Sequence, residues 1–189
     1  MKHPETIFQT PRLTIREYTP DDAEEAFALY GDPEVMHFLG GNPHPDVASL
    51  RAHLEKRWER EHGGVEPPGF WAVVTRDEGR LAGTVLLKPL PGHPEVEVGW
   101  HLAKWAWGRG YATEAARGTL DYGFHVRGLE RIVAVVHPLN HRSLAVARRL
   151  GMRLEGRIEA YQQELELFVL SREEWDELSR DSAAHAPPA

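Results

Sequence analysis

The sequence predicts an α/β layered domain with a mixed, mostly antiparallel sheet, and three observations support this fold class. Short runs of alternating apolar and polar residues predict strands, and longer runs with apolar residues at helical spacing predict helices. Three strand patterns follow one another across short turns, which favours an antiparallel meander. Strand and helix patterns then alternate through the rest of the chain, as is typical of layered α/β domains.

Capping and turn residues explain where the predicted elements begin and end. Thr19 and Asp22 form a capping box with a proline at the first helical position, and Gly31 ends that helix. Asp46 is placed to cap a second helix, in which we expect Trp58 to be a buried anchor. The predicted elements are, in order, a strand at 13–18, helices at 20–30 and 47–62, strands at 70–75, 81–90 and 95–102, a helix from 111 towards Gly128, a strand at 131–136, a helix at 143–150, strands at 154–161 and 164–170, and a helix from Ser171.

Length and composition restrict the function classes. With 189 residues, of which 41% are hydrophobic, the chain is expected to form a single domain over residues 1–180, followed by a disordered tail at residues 181–189. A net charge of −7 argues against binding to bulk nucleic acid. The lack of cysteine excludes disulfides, thiolate metal sites and a cysteine nucleophile. No apolar run has membrane-spanning length and no signal peptide is evident, so we expect a cytoplasmic protein without a membrane partner.

Residues 107–115, W-G-R-G-Y-A-T-E-A, contain the most informative local pattern. They follow a predicted strand and open a helix, whose first N–H groups are unpaired and lie at the positive end of the helix dipole. Gly108 and Gly110 allow a tight turn and let a ligand approach the backbone closely. The pattern predicts a phosphate cradle formed by the amides of residues 107–112. A glycine-rich turn that merely ends a strand is the alternative when the pattern is considered alone.

Together with this turn, two further segments resemble the GNAT superfamily of N-acetyltransferases, and in particular its branch that acetylates ribosomal-protein N-termini. The similarity extends over nearly the whole chain. Residues 10–16 resemble the opening strand of that branch, and residues 97–100 with 107–115 resemble its acetyl-CoA signature. Asn140, Ser143 and residues 150–152 resemble its second motif. The resemblance implies a sheet splayed in its middle, helices on both faces, and acetyl-CoA as co-substrate.

The resemblance also implies where acetyl-CoA would bind. Its pyrophosphate would lie on the cradle, and its pantetheine arm would pair with the preceding strand like an added strand, beyond a bulge at Gly99. A backbone N–H of that strand would polarise the thioester carbonyl. The implied cofactor-binding residues are Trp100, His101, Leu102, Trp107, Gly108, Arg109, Gly110, Tyr111, Ala112, Thr113, Asn140 and Ser143.

The sequence departs from the family pattern at three positions. Trp107 stands where the superfamily has Gln or Arg, which removes a polar side chain but leaves the amides. Ala147 replaces the tyrosine that many members use as general acid, and Val135 replaces the glutamate that some use as base. Other residues must therefore supply the catalytic groups.

Acetyl transfer to an amine requires removal of an ammonium proton, stabilisation of the carbonyl oxygen and protonation of the departing thiolate. Glu97 is the first candidate for the base, and His101 is the second because imidazole titrates near neutrality. Ser143 resembles the serine that the ribosomal branch uses as acid or thiolate partner. The structural alternatives are a solvent-facing strand position for Glu97 and a helix N-cap for Ser143.

We therefore predict an acetyl-CoA-dependent N-acetyltransferase that acts on a primary amine. The candidate acceptors are a protein N-terminal α-amine and a small polyamine, amino acid or antibiotic, and residues 37–45 and 70–71 are expected to line the acceptor side. A non-catalytic acyl-CoA binding or sensor module is the alternative from another class. A nucleotide-binding domain is disfavoured because GxxxxGK[ST] is missing. No metal site is expected, and a homodimer stays open because the sequence does not determine the oligomeric state.

Overall fold

The computed structural model describes residues 4–64 and 69–184, with side chains through residue 181. Within these ranges the chain forms eight strands and six α-helices. The strands are Thr6–Gln9 (β1), Leu13–Glu17 (β2), Phe70–Thr75 (β3), Leu81–Pro89 (β4), Val96–Leu102 (β5), Arg131–Val136 (β6), Arg153–Ala160 (β7) and Gln163–Ser171 (β8). The helices are Ala23–Tyr30 (α1), Pro33–Met36 (α2), Val47–His62 (α3), Tyr111–Asp121 (α4), His141–Arg149 (α5) and Arg172–Ala184 (α6).

The sheet has the strand order β1-β2-β3-β4-β5-β6-β8-β7 and is antiparallel except at the β5–β6 pair. This arrangement confirms the predicted mixed, mostly antiparallel sheet. At the parallel junction the register consists of one pair, Glu97 with Val133, whereas β6 is paired with β8 along its whole length. The sheet is therefore splayed between β5 and β6, beyond Glu97.

The predicted bulge at Gly99 is wrong. β5 pairs with β4 in unbroken register from Val96 to Leu102. Because β5 is held by β4 and β6 is held by β8, the two halves of the sheet separate without an extra residue in either strand. Gly99 lies opposite Leu86, and a Cβ at position 99 would approach the Leu86 side chain to 3.0 Å. The glycine therefore serves cross-strand packing.

Helices cover both faces of the sheet, as predicted. On one face, α4 and α6 pack Leu120 and Trp175 into the larger cluster of buried residues. On the other face, α1 and α3 contribute Leu29, Leu50 and Leu54 to a second cluster. Of the described helices, none is long and apolar enough to cross a membrane.

A few local features differ from the predictions. The sequence pattern did not indicate β1 or the short helix α2. Trp58 is half-buried and stacks on His62 at 3.8 Å between ring centroids, so it is not the predicted buried anchor. Leu50 and Leu54 bury that face of α3 instead. The last helix continues to Ala184, past the predicted domain end at residue 180, and residues 185–189 of the predicted tail lie outside the described residues.

Candidate active site

The turn before α4 has the geometry expected of an anion cradle. Gly108 and Gly110 have φ angles of 74° and 79°, in the left-handed region that glycine adopts without strain. Gly110 is the N-cap of α4, and residues 108–110 are exposed. The N–H groups of Tyr111, Ala112 and Thr113 occupy the first helical turn, where no intrahelical acceptor exists. An anion can therefore reach several backbone donors at the positive end of the helix.

A carboxylate in the first turn of α4 connects the cradle to the N-terminal segment. Glu114 accepts hydrogen bonds from the Thr10 hydroxyl at 2.6 Å, from the Arg12 backbone N–H at 2.9 Å and from Arg12 Nε at 2.6 Å. Arg12 Nη1 also donates to the Arg109 carbonyl at 3.0 Å. Burial alone would raise the pKa of Glu114, but the hydrogen bonds from Thr10 and Arg12 hold it below its ordinary value. The N-terminal segment thus fixes the cradle loop through an ionised side chain.

We expect Glu114→Ala to weaken CoA binding by about tenfold, because the Arg109 carbonyl and the adjacent amides lose their support. Calorimetry with CoA measures the effect, and a thermal melt checks that the protein remains folded. Glu130→Ala is the matched control, because it removes an exposed ion pair with Arg172. Equal affinity in wild type and Glu114→Ala would mean that the cradle holds its shape without this connection.

Trp107, which replaces a polar residue of the family pattern, attaches the cradle to the sheet. Its indole N–H donates to the Leu102 carbonyl at 2.9 Å, at the end of β5. The Arg142 guanidinium lies over its ring at 4.1 Å, so the start of α5 also contacts the loop. Trp107 therefore holds the loop against β5 and α5.

A cleft of about 190 Å³ opens where β5 and β6 separate. The predicted residues Glu97, Trp100, His101, Asn140 and Ser143 all line it. Leu102 and residues 107–113 are not among its lining residues and belong to the end of β5 and the neighbouring cradle. The remaining lining residues are Phe38, Leu39, Arg57, Phe70, Leu86, Lys88, Val98, Gly99, Ala134, Val135, Val136, His137, Tyr161, Gln163 and Leu165.

Part of the predicted acceptor side also lines the cleft. Phe38 and Leu39 come from the predicted loop at residues 37–45, and Phe70 comes from β3. Trp71, by contrast, is only 2% exposed and belongs to the cluster on the opposite face of the sheet. Neighbouring strand residues point to opposite faces, so only one of the predicted pair can contribute.

The predicted pantetheine-binding residues of β5 differ in the edge of the strand to which their backbone N–H and C=O groups point. The Ala103 N–H donates to the Ala82 carbonyl at 3.0 Å, so odd-numbered residues of β5 direct their backbone groups towards β4. The backbone groups of Trp100 and Leu102 therefore point to the open edge, although the Leu102 carbonyl already accepts from Trp107. His101 directs its backbone to β4, and the prediction that its backbone pairs with the pantetheine arm is wrong. Its imidazole nevertheless lines the cleft.

Glu97 lies at the base of the splay and is 4% exposed, which excludes the alternative of a solvent-facing strand residue. Lys88, its partner across β4–β5, places Nζ 2.9 Å from the Glu97 carboxylate. The Tyr161 hydroxyl donates to the same carboxylate oxygen, and Lys88 Nζ donates to that hydroxyl at 2.6 Å. Burial, followed by the hydrogen bond to Glu97, raises the pKa of Tyr161 well above its ordinary value.

Sequence reasoning missed Lys88 and Tyr161. Tyr161 and Gln162 have φ angles of 52° and 60°, as the central residues of a type I′ turn between β7 and β8. Non-glycine residues in this region are strained and frequently occur at functional sites. No local sequence pattern indicates this contact, because 64 positions separate Tyr161 from Glu97.

His101 faces the same side of β5 as Glu97, because the unbroken register preserves strand alternation. Its Nδ1 lies 3.3 Å from the Tyr30 hydroxyl, which also contacts the Thr84 hydroxyl at 2.7 Å. Burial and then the nearby charge of Lys88 lower the pKa of His101 to about 4. The imidazole is therefore neutral at physiological pH, and its lowered pKa makes it a weak proton acceptor.

Because the pKa of His101 is lower in the folded protein than its ordinary value of 6.5, acid should destabilise the fold. Below pH 6.5 the unfolded chain binds a proton that the folded chain does not bind. The contribution of the neutral imidazole to the stability of the fold is therefore fully present above pH 6.5 and is lost as the pH falls towards 4. We expect the loss to be at most about 3 kcal/mol. Denaturant unfolding at neutral and acidic pH should show it in wild type and in the exposed control His141→Gln, but not in His101→Gln. An equal acid loss in all three proteins would contradict this assignment.

The second motif forms the other wall of the cleft. Asn140 is the N-cap of α5, and its side-chain oxygen accepts from the Ser143 backbone N–H at 3.2 Å. The alternative role of Ser143 as N-cap is therefore excluded. This cap uses neither the Asn140 amide nitrogen nor the Ser143 hydroxyl, and both residues line the cleft. His137 and His141 are separated by a turn, and in the described part of the chain no cluster of potential ligands could hold a metal ion.

Comparison with known proteins defines the family. The Acetyltransferase (GNAT) domain family matches residues 12–153. The chain is 32% identical over 147 residues to an uncharacterized N-acetyltransferase, YnaD, of Bacillus subtilis, covering 78% of this chain and 82% of that protein. It is 31% identical over 151 residues to the spermidine N(1)-acetyltransferase of Escherichia coli, covering 77% and 75% of the two chains.

Solved structures agree with this result. A GNAT-family acetyltransferase from Bacillus anthracis superposes with a TM-score of 0.75 at 26% identity, covering 87% of this chain and 98% of that one. The ribosomal-protein-S5-alanine acetyltransferase from Vibrio fischeri has the same fold, with a TM-score of 0.68 at 21% identity, covering 89% and 97% of the two chains. The chain belongs to the GNAT acetyltransferase family, and it is an acetyl-CoA-dependent acetyltransferase.

Proposed function

We propose that the protein acetylates the primary amine of an acceptor that binds in the cleft between β5 and β6, with Glu97 as the base. The buried Glu97 carboxylate at the base of the splay is the observation that carries this proposal. It is the one buried charged residue among the described residues, and it lies on the strand whose open edge would hold the acetyl donor. A buried carboxylate beside a reacting amine is suited to accept its proton.

The chain offers three groups of contacts to acetyl-CoA, which supplies the activated acetyl group. The amides of residues 107–113 suit the pyrophosphate, and Arg142 lies beside them over Trp107. The open edge of β5 can pair with the pantetheine arm, and the Trp100 N–H is directed to stabilise charge on the thioester oxygen. The Asn140 amide nitrogen, on the other wall of the cleft, suits the same arm.

The cleft contains the proton acceptors and the proton donor that acetyl transfer to an amine requires. Glu97 accepts the proton of the acceptor ammonium while Lys88 and Tyr161 hold its carboxylate in place. His101 is a second but weaker acceptor, because its imidazole is neutral and its pKa is lowered. The Ser143 hydroxyl is the donor assigned to the departing thiolate, since the cap of α5 leaves it unused. The lost family residues at positions 135 and 147 are thus replaced by groups on β5 and α5.

The acceptor class requires an assay. A protein N-terminal α-amine and a small amine are both candidates, and a relative that acetylates spermidine adds polyamines to the panel. Thiol release from acetyl-CoA, measured with N-terminal peptides, polyamines, amino acids and aminoglycosides, tests the proposal. We expect release above background hydrolysis with at least one class, together with one added acetyl group on its amine. CoA binding without release for any acceptor would refute the proposed acetylation of an amine in this cleft.

A further inference from the structure

More cationic than anionic side chains line the cleft. Lys88 and Arg57 both line it, whereas Glu97 is the one carboxylate among the described lining residues. Glu61 pairs with Arg57 at 3.2 Å but does not itself line the cleft. The acceptor therefore enters a cleft that already contains two cationic side chains. Among the described lining residues its one carboxylate, that of Glu97, is already paired with Lys88.

Lys88 limits which amines can approach Glu97. Its ammonium lies 2.9 Å from the Glu97 carboxylate, and Tyr161 occupies the same oxygen. An acceptor ammonium that binds Glu97 must share this carboxylate with Lys88, which places two like charges close together. An acceptor that brings its own anion offers Lys88 a replacement partner and removes that repulsion.

Arg57 is the second cationic side chain of the cleft lining. Its guanidinium lies over the Phe70 ring at 4.2 Å, and Nη1 donates to Glu61. Its Nε is buried and has no hydrogen-bond partner among the residues that the structure describes. The Arg57 side chain as a whole is 23% exposed and lines the cleft, so its guanidinium is placed to meet a carboxylate of a bound acceptor even though Nε itself is covered.

We propose that the acceptor is an amino carboxylate with an apolar side chain, whose amine contacts Glu97 and whose carboxylate lies between Lys88 and Arg57. This inference rests on the proposed acetyl transfer and narrows its substrate class. Phe38, Leu39 and Phe70 supply an apolar surface on the acceptor side of the cleft. A polyamine adds only positive charge beside Lys88 and Arg57, so the same geometry disfavours it.

Matched acceptors test the carboxylate directly. The values of kcat/KM are compared for L-phenylalanine, L-phenylalaninamide, phenethylamine, spermidine and a peptide with N-terminal phenylalanine, all at saturating acetyl-CoA. We expect L-phenylalanine to exceed its amide by at least about tenfold, because the amide keeps the shape and loses the charge. The amide has the less basic amine, which gives it more reactive free base and biases the comparison against the proposal.

Variants that remove a positive charge test whether Arg57 and Lys88 bind the acceptor carboxylate. Arg57→Gln and Lys88→Met should each reduce the ratio of L-phenylalanine to L-phenylalaninamide by about tenfold, through KM for the acid, and Lys88→Arg should restore part of it. Lys56→Gln, on the exposed side of α3, should leave the ratio unchanged. The ratio is measured within each variant, so a general loss of rate does not affect it.

The outcomes separate the two proposals. Faster acetylation of spermidine, phenethylamine or the amide than of L-phenylalanine would overturn the amino-carboxylate assignment and leave acetyl transfer intact. Faster acetylation of the peptide would also overturn it, in favour of a protein N-terminus. A ratio that Arg57→Gln and Lys88→Met both leave unchanged would overturn the assigned contacts. If none of the acceptors is acetylated, the proposed function fails together with the inference.

Discussion

Replacing Glu97 by glutamine is expected to lower kcat at neutral pH by about 100-fold or more, while the affinity for CoA stays close to that of the wild type. Glutamine keeps the shape of the side chain but cannot take the acceptor proton. The cradle at residues 107–113 is separate from the cleft lining, so the substitution does not touch the proposed phosphate contacts. Steady-state kinetics and calorimetry with CoA provide the two measurements.

A folding defect must be distinguished from loss of the base. Glu97→Gln removes the carboxylate partner of Lys88, whose side chain is 26% exposed and can turn towards solvent. We therefore expect a melting temperature near that of the wild type, and Glu159→Gln, an exposed carboxylate of β7, serves as the control. Turnover equal to that of wild type in Glu97→Gln would remove Glu97 from the mechanism and leave His101 as the candidate base.

Gly110→Val is expected to weaken CoA binding by at least about tenfold, because a branched side chain is strained at a positive φ and covers the amides. The φ angle of Gly110 is 79°, and a Cβ there would lie 3.4 Å from Arg12 Nη2. The strain moves the N-cap of α4, and the side chain blocks the approach of a phosphate. Isothermal titration with CoA measures the loss.

Gly79→Val separates these two effects. Gly79 has a φ angle of 65° in the turn between β3 and β4, and a Cβ there would meet nothing within 4 Å. The control therefore carries similar backbone strain at a turn that is no part of the cradle or the cleft lining. We expect it to lower stability and leave CoA affinity unchanged. Equal affinity losses in both variants would attribute the effect to global stability and refute a specific cradle.

Local sequence patterns were sufficient for most of the fold. The capping box at Thr19 and the cap at Asp46 are present as predicted, because both depend on residues within one helical turn. β3 and β6 have the predicted bounds, since apolar runs between turn residues specify buried strands. β1 escaped prediction because four residues, half of them exposed, carry too little periodicity. The burial of Trp58 was predicted wrongly. Helical spacing shows which face of the helix a residue occupies but not how completely other residues cover that face.

The candidate site divides in a similar way. The glycine turn and the helix that it opens could be predicted, because both depend on neighbouring residues, and the binding of a phosphate there stays a prediction. The cluster of Glu97, Lys88 and Tyr161 could not be predicted as a unit. It depends on the β4–β5 register and on the β7–β8 turn reaching across the splay, and both are contacts between distant segments.

The sequence by itself determined which short segments form strands, helix caps and the glycine turn before α4, because those features follow from neighbouring side chains and backbone dihedrals. Only the tertiary structure decided that the sheet opens without a bulge, that His101 turns its backbone away from the cleft, and that Lys88 and Tyr161 occupy the Glu97 carboxylate. Strand pairing sets these outcomes: one residue of register decides which face a side chain occupies and which edge its N–H serves.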